Sequence, residues 1–219
     1  MTAWQLRVDL HFYWHAGSGS GSGTHLDALC ERDHDGLPFI AGRHLKGLLR
    51  HAIQRAEQWG WLAHLALPAG PQPNWESLLF GTRSQAAQRY HTLPGMLILD
   101  DARLSAGERA WIESSPESKA HLFTELYSTA IHEQGAAALH TLRGMEAALP
   151  MTLHAPLACE ATALDEEHRQ QQQAALAVDL GAMLERVLPL IDAVGAHRSR
   201  GLGEATLSLH AAPNKGGQR

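Results

Sequence analysis

Two short segments carry the side chains best suited to binding phosphate. The first, residues 36–50, reads GLPFIAGRHLKGLLR and leads from a turn into an amphipathic helix. The peptide N–H groups at a helix start attract anions, so cations crowded there are unfavourable unless an anion lies nearby. A solvated helix face is the commoner use of such residues, but their crowding favours a phosphate backbone. The candidate ligands of this segment are Arg43, His44, Lys46 and Arg50.

The second segment, residues 195–203, combines three glycines with two arginines, a histidine and a serine. Backbone N–H groups of such a loop can cradle phosphate oxygens, and arginines can add bidentate contacts. An ordinary turn after a helix needs one glycine, which leaves the other two glycines and the two arginines unexplained. The candidate phosphate ligands here are His197, Arg198, Arg200, Gly201 and Gly203.

An acidic cluster precedes the first segment. Asp33 and Asp35 stand directly before Gly36 and are explained by turn chemistry, in which aspartate is favoured. Asp27 has no such context. A carboxylate beside a scissile phosphate could hold Mg²⁺ and activate a 2′-hydroxyl or a water molecule.

The 15 histidines form no compact ligand set for a metal, and no GxSxG motif supports a catalytic triad. Three of them, His15, His25 and His44, could serve as a general acid or base. A small metal-dependent hydrolase using the histidine-rich loops is a further alternative.

Composition restricts the protein class. With 44% hydrophobic and 19% charged residues among 219, the chain can build a core. The net charge of −5 is the wrong sign for a free-standing nucleic-acid binder, so binding must depend on local patches. The isolated Cys30 and Cys159, with no signal peptide and no long apolar run, predict a cytoplasmic protein without membrane contact.

The hydrophobic periodicity predicts an α+β fold. Strands are expected at 6–12, 96–99, 148–157 and 205–209, and helices at 43–57 and 165–190, with Gln170–Gln173 solvated. The run GSGSGSG at 17–23 is interpreted as a natural loop, and 123–143 as an irregular hairpin. The order β-α-β-β-α-β is typical of a ferredoxin-like (RRM-like) antiparallel sheet with two main helices.

These segments together resemble the RAMP superfamily of CRISPR-associated proteins, in particular the backbone subunits of type III effector complexes. The resemblance is carried by six motifs in the family's order: the glycine-rich loop before Asp27 leading to 36–42 (GLPFIAG), then 45–50 (LKGLLR), 79–81 (LFG), 95–104 (GMLILDDARL), 129–146 and 198–203. Arg43-His44 departs from the pair of small hydroxyl residues that many members have.

The resemblance implies one RAMP domain over residues 1–219, with a thumb-like insertion at about 123–146. It implies that the two cationic segments and Arg143 grip CRISPR RNA, and that Asp27 with Mg²⁺ supports cleavage of target single-stranded RNA. It further implies partners among other RAMP and effector-complex subunits, including copies of this chain. The thumb residues expected to separate base-pair segments are Ile131, His132, Leu139 and Leu142.

Two related functions stay open from the sequence. One is a non-catalytic RAMP subunit that caps the complex or binds the repeat-derived tag of the guide. The other is a metal-independent endonuclease that processes precursor CRISPR RNA.

Overall fold

A computed structural model describes residues 2–23, 25–82 and 92–212. The elements in chain order are β1 (Thr2–Leu10), α1 (Gly42–Gln58), α2 (Trp75–Phe80), β2 (Leu97–Leu99), α3 (Ala106–Glu113), β3 (Phe123–Ser128), β4 (Arg143–Ala148), β5 (Met151–Cys159), α4 (Glu166–Ala175), α5 (Leu180–Val187) and β6 (Ala205–Ala211). Short 3-10 helices lie at Pro116–Leu122, Leu188–Leu190 and Arg198–Arg200.

The main sheet has the strand order β2-β5-β1-β6, with every neighbouring pair antiparallel. With α1 between β1 and β2 and α5 before β6, this is the ferredoxin-like arrangement that the sequence predicts. The central strand β1 alternates as a half-buried strand must, since Leu6, Val8 and Leu10 are buried and Arg7 is exposed. Helices α1 and α5 contact each other and the sheet on its buried side.

Helix α1 confirms the predicted amphipathic helix. Its apolar positions recur at helical spacing, so one stripe faces the core while the cations lie on other faces. The stripe is completely buried and consists of Leu45, Leu49, Ala52, Ile53 and Ala56.

The single helix predicted at 165–190 is wrong, because the chain forms two helices with a break at 176–179. Leu176 ends α4. The carboxylate of Asp179 then accepts a hydrogen bond from the backbone N–H of Ala182 at 3.0 Å and starts α5 as an N-cap. An aspartate favours this capping position over a helix interior, which explains the break.

The prediction that Gln170–Gln173 is solvated is also wrong for its two middle residues. Gln171 is 1% exposed and Gln172 is 0% exposed. The Gln172 side-chain oxygen accepts from the backbone N–H groups of Thr162 and Ala163, and its amide donates to the carbonyl of Pro94. Gln172 therefore holds two irregular segments against α4.

The strand predicted at 148–157 is shifted. Ala148 ends β4, a turn follows, and β5 runs to Cys159. Pro156 lies inside β5, and its carbonyl accepts from the backbone N–H of Asp100 just beyond the end of β2. Proline has no N–H to return this bond, and the pairing of β5 with β2 accordingly ends at Leu99.

The predicted excursion is a two-stranded antiparallel hairpin of β3 and β4, with Ser128 paired to Arg143 at its outer end. Its root joins the main body through Trp14, whose backbone N–H and carbonyl both bond to Ala148. Within the described ranges, no helix combines the length and apolar character that a membrane span requires.

Candidate nucleic-acid interface

The glycine-rich loop 194–203 is held by backbone hydrogen bonds to the segment that follows β1. The N–H of Gly203 donates to the carbonyl of Tyr13, and the N–H of Ala196 donates to that of His15, each at 2.8 Å. A Cβ on Gly203 would lie 1.9 Å from the carbonyl oxygen of Val194, at a φ of +74°. Close backbone approach therefore accounts for this glycine, whatever ligand the loop binds.

The outer part of this loop is a 3-10 turn at Arg198–Arg200. Its side chains, including those of His197, Arg198 and Arg200, are exposed, and Gly201 takes a left-handed conformation that ends the turn. A cleft of about 570 Å³ runs along residues 192–199 of the loop. The loop thus presents two guanidinium groups to solvent from a fixed backbone.

The start of α1 already has an anion from the chain itself. The N–H of Gly42 donates to Oδ1 of Asp101 at 2.9 Å, and Oδ2 of Asp101 accepts from Arg103 at 2.8 Å. A Cβ on Gly42 would lie 2.5 Å from the carbonyl oxygen of Leu99, so only glycine fits here. Asp101 therefore supplies the negative charge at the helix start for which the sequence suggested a phosphate.

The cations of α1 make separate internal contacts. Arg43 is exposed and lies 3.1 Å from a carboxylate oxygen of Glu31. Lys46 donates to the carbonyl of Leu97 at 2.7 Å, and burial together with the charge of Arg50 lowers the pKa of Lys46. Arg50 pairs with Glu76 and donates to the carbonyl of Gly81. Lys46 and Arg50 therefore fasten α1 to β2 and α2, and their contact with RNA stays a prediction.

His44 connects the two predicted phosphate-binding segments. Its Nε2 accepts a hydrogen bond from the backbone N–H of Gly195 at 3.1 Å. Burial lowers the pKa of His44, the charge of Arg198 lowers it further, and Glu31 acts in the opposite direction. A cleft of about 270 Å³ lies at this junction, and among its lining residues are His15, Gly17, Glu31, Arg43, His44 and Ala196.

Four arginine side chains in the described ranges have neither an ion pair nor a hydrogen bond to another described residue: Arg143, Arg186, Arg198 and Arg200. Each is exposed. Two belong to the glycine-rich loop and one starts β4 of the hairpin. The sequence prediction named these three, whose guanidinium groups are available to a ligand without breaking an internal contact.

Asp27 lies beside the outer end of the β3–β4 ladder, at the residue that follows Arg143. Its backbone N–H donates to the carbonyl of Gly144 at 2.8 Å, and its Oδ2 accepts from the N–H of Gly144 at 2.9 Å. Oδ1 has no partner among the described residues, and the side chain is exposed. A Cβ on Gly21 would lie 2.9 Å from the carbonyl oxygen of Asp27, which explains a glycine in the preceding run.

The described residues offer Mg²⁺ few groups of side-chain ligands. Among the described residues, Asp33, His34 and Asp35 are the sole cluster of three suitable side chains, and both carboxylates are paired with Arg109. Burial alone would raise the pKa of Asp33, but its hydrogen bonds with Arg109 and with the backbone N–H groups of Leu37 and Asp35 lower it. The turn role predicted for Asp33 is confirmed.

Asp27 fits Mg²⁺ as a single ligand. This ion usually keeps several waters and takes one or two carboxylates plus substrate phosphates. The unpartnered Oδ1 could supply one such contact, although Asp27 belongs to no group of three suitable ligands in the described ranges.

The hairpin tip presents apolar side chains to solvent. Ile131, Leu139 and Leu142 are 70%, 85% and 69% exposed. The tip is nevertheless ordered by short-range bonds, including His132 N–H to the carbonyl of Ala136 at 2.8 Å. Exposed aliphatic groups on a defined hairpin suit insertion between stacked bases, as the resemblance implies.

Two candidate histidines have structural contacts. His15 is 4% exposed, and its Nδ1 lies 2.7 Å from the carbonyl oxygen of Glu146. His25 pairs with Glu125 at 2.9 Å on the hairpin surface.

Sequence reasoning missed Glu146, which is 8% exposed and whose carboxylate accepts from the backbone N–H of Cys30 and from Arg32.

Comparison with known proteins identifies the fold. A family model described as the RAMP superfamily matches residues 12–206. A chain of the Type III-B Cmr-beta complex bound to cognate target RNA superposes with a TM-score of 0.62 at 11% identity, covering 95% of this chain and 97% of that chain. The apo state of Cmr-beta gives 0.58 at 11% identity with the same coverage of both chains.

A chain of a Type IV-B CRISPR complex superposes with a TM-score of 0.51 at 15% identity, covering 99% of this chain and 93% of that chain. No curated protein sequence matches. At these identities the structural likeness concerns the fold, and it extends over nearly the whole length of both partners in each comparison.

Proposed function

The chain belongs to the RAMP superfamily, and from that premise we propose that it is an RNA-binding backbone subunit of a CRISPR effector ribonucleoprotein. The similar chains come from Type III-B and Type IV-B complexes and are covered over nearly their full length, which supports a subunit of this kind. The observation that carries RNA binding is the set of unpaired arginines on the glycine-rich loop and the hairpin.

The proposed guide track runs over the glycine-rich loop. Arg198 and Arg200 bind phosphates by bidentate contacts, and His197 with the backbone of Gly201 borders the same path. Gly203, predicted as a ligand, is buried and its N–H is bonded to Tyr13, so its role is to shape the loop. Such contacts carry no sequence information, which suits a subunit that must accept any guide. Arg43 exchanges its exposed pairing with Glu31 for a phosphate at little cost, because exposed ion pairs contribute roughly 0–1 kcal/mol.

The hairpin forms a second part of the interface. Arg143 binds the backbone near the outer end of β4, and the exposed aliphatic tip at Ile131, Leu139 and Leu142 wedges between neighbouring bases. His132 lies in the same tip. Aliphatic side chains can insert between neighbouring bases without reading their edges, so this contact also accepts any sequence.

The proposed chemistry is cleavage of target RNA beside Asp27. The target 2′-oxygen attacks the adjacent phosphorus, the bond to the 5′-oxygen breaks, and the products are a 2′,3′-cyclic phosphate and a 5′-hydroxyl. The 2′-hydroxyl proton passes to solvent, and the leaving 5′-oxygen takes up a proton. Oδ1 of Asp27 would hold Mg²⁺, which supplies charge neutralisation at the phosphate when bound.

A non-catalytic backbone or cap subunit is the second candidate. It is favoured by the ligand set around Asp27, whose Oδ2 is used by Gly144 and which belongs to no group of three suitable metal ligands in the described ranges. Metal-independent processing is less favoured, because His15 is buried and His25 is paired with Glu125.

The test is to purify the chain from its native cells and to sequence the co-purified RNA. We expect RNA of regular length derived from CRISPR repeats and spacers, together with other complex subunits. RNA of random length and origin, or none, would contradict the proposal. Product ends after Mg²⁺ addition then separate a cleaving subunit from a non-catalytic one.

A further inference from the structure

The contact between His44 and Gly195 fixes the protonation state of the imidazole. A backbone N–H can only donate, so Nε2, 3.1 Å away, must be the unprotonated acceptor. The proton of the neutral ring then resides on Nδ1. An imidazolium has two donors and no acceptor, and it cannot make this hydrogen bond.

The surroundings of His44 favour the neutral ring. Glu31 and Arg43 line the same cleft from the segment before α1 and from α1 itself, and His15 lines it from the segment after β1. Arg198 faces His44 from the loop. Burial and Arg198 lower the pKa of His44 more than Glu31 raises it, so the acceptor form prevails at neutral pH.

Gly195 is a point of close backbone approach in the loop. Its φ is +92°, and a Cβ would lie 2.5 Å from the carbonyl oxygen of His15, so the backbone passes very close to the segment after β1. The next residue, Ala196, is bonded to the same carbonyl. Arg198 lies three residues after Gly195, so the direction of its guanidinium depends on how Gly195 is held.

We propose that His44 is a positioning residue that fixes Gly195 and the outer part of loop 194–203 in the RNA-binding conformation through the neutral Nε2, and that protonation of His44 removes this contact and loosens the outer part of the loop. The outer part would also be repelled, because an imidazolium at this place faces Arg198. This inference rests on the proposed RNA-binding function. It assigns His44 a role through the loop, in place of the direct phosphate contact predicted from the sequence.

Two substitutions separate the acceptor from the ring. His44→Gln places an amide oxygen near the position of Nε2 and cannot be protonated in this range, whereas His44→Phe keeps the ring shape without an acceptor. The matched control is His51→Gln, since His51 is an exposed histidine on the same helix. Fluorescence anisotropy of a labelled single-stranded RNA would be measured from about pH 8 to about pH 5, where histidine titrates.

At neutral pH, we expect His44→Gln to bind like the unsubstituted chain and His44→Phe to bind roughly two- to tenfold more weakly, the effect of one hydrogen bond. Towards about pH 5, the unsubstituted chain should weaken relative to His44→Gln, whereas the ratio for His51→Gln stays constant. Because His44→Gln retains every other histidine, the ratio isolates His44.

Equal binding by His44→Phe and the unsubstituted chain would overturn the proposal, as would equal loss in both His44 variants. Hydrogen exchange of the Gly195 amide provides a readout without RNA. Faster exchange in His44→Phe than in His44→Gln supports the positioning role, and equal exchange rejects it. If the unsubstituted chain binds no RNA while Gly195 responds in this way, the proposed function fails and the positioning role of His44 stands.

Discussion

The carboxylate of Asp27 is hydrogen-bonded to the backbone N–H of Gly144, with 2.9 Å between Oδ2 and the nitrogen. The reverse bond, from the N–H of Asp27 to the carbonyl of Gly144, makes the contact reciprocal. One side chain therefore fastens the loop before α1 to the hairpin, while its Oδ1 stays available for Mg²⁺. The same carboxylate therefore has a structural contact through Oδ2 and, in the proposed cleavage, a second role through Oδ1.

The first prediction separates these two roles of Asp27. Asp27→Asn keeps an oxygen acceptor for Gly144 but loses the negative charge, whereas Asp27→Ala loses both. If the carboxylate holds Mg²⁺, both variants should bind target RNA, and both should lose cleavage by about 100-fold or more, in the range of a lost catalytic group. Only Asp27→Ala should increase hydrogen exchange at Gly144. Cleavage retained by Asp27→Asn would remove this carboxylate from the chemistry.

The second prediction concerns the unpaired arginines of the glycine-rich loop. Replacing Arg198 and Arg200 together by alanine should weaken RNA binding and reduce the slope of log affinity against log salt by about 0.7 for each phosphate that is no longer neutralised. The control is Arg186→Ala, since Arg186 is equally exposed and unpaired but lies on α5. A titration in increasing salt provides both quantities. An equal effect of Arg186→Ala would indicate unspecific charge attraction.

The sequence predicted the ferredoxin-like sheet and α1 because their hydrophobic periods are local and strong. It failed at 165–190, where the apolar stripe continues across the break and only Asp179, a capping residue, marks the second helix. The solvated interpretation of Gln172 failed for a different reason. Gln172 is buried because its side chain bonds to backbone groups that are distant in the sequence. No local pattern of residue types reveals such bonds.

The candidate site could likewise be predicted only in part, because some of its contacts join residues that are distant in the sequence. The glycines at 195–203 and the free Arg198 and Arg200 can be found from residue types, since a loop with these glycines has to turn tightly. The internal partners of the α1 cations cannot, because Leu97 and Gly81 come close to Lys46 and Arg50 only through the tertiary fold. Spacing alone does not distinguish a cation that binds RNA from one that fastens a helix.

The third prediction concerns the hairpin tip. Leu139→Ser with Leu142→Ser should leave the thermal midpoint unchanged, because both side chains are 69% exposed or more. If the tip wedges between bases, the double variant should bind guide RNA normally and lose affinity for the guide–target duplex by roughly tenfold or more, since full burial of one leucine side chain contributes about 1.5–3 kcal/mol. Trp111→Ser, at an exposed apolar position on α3, is the control. Equal duplex affinity in all three proteins would contradict the wedge.

The fourth prediction is a dependence of stability on acid. The pKa of Asp33 is below its usual value of 3.8, since its bonds with Arg109 and the backbone outweigh the effect of burial. A depressed pKa contributes stability above the unfolded-state pKa and loses it as the pH falls through the folded-state pKa. Asp33→Asn should therefore cost about 1–3 kcal/mol near neutral pH, and the difference should shrink below about pH 4. Urea unfolding at both pH values measures it, and a constant difference would contradict it.

The fifth prediction is that Gln172 supports the fold far more than its neighbour Gln173. Gln172→Ala leaves the backbone N–H groups of Thr162 and Ala163 without their acceptor, and the carbonyl of Pro94 without its donor. An unsatisfied buried group costs about 1–3 kcal/mol, so the variant should lose at least about 2 kcal/mol of unfolding free energy. Gln173→Ala, one residue along and exposed, should change it by less than about 0.5 kcal/mol. Chemical denaturation of both variants measures the difference, and equal stabilities would mean that water replaces the glutamine at these backbone groups.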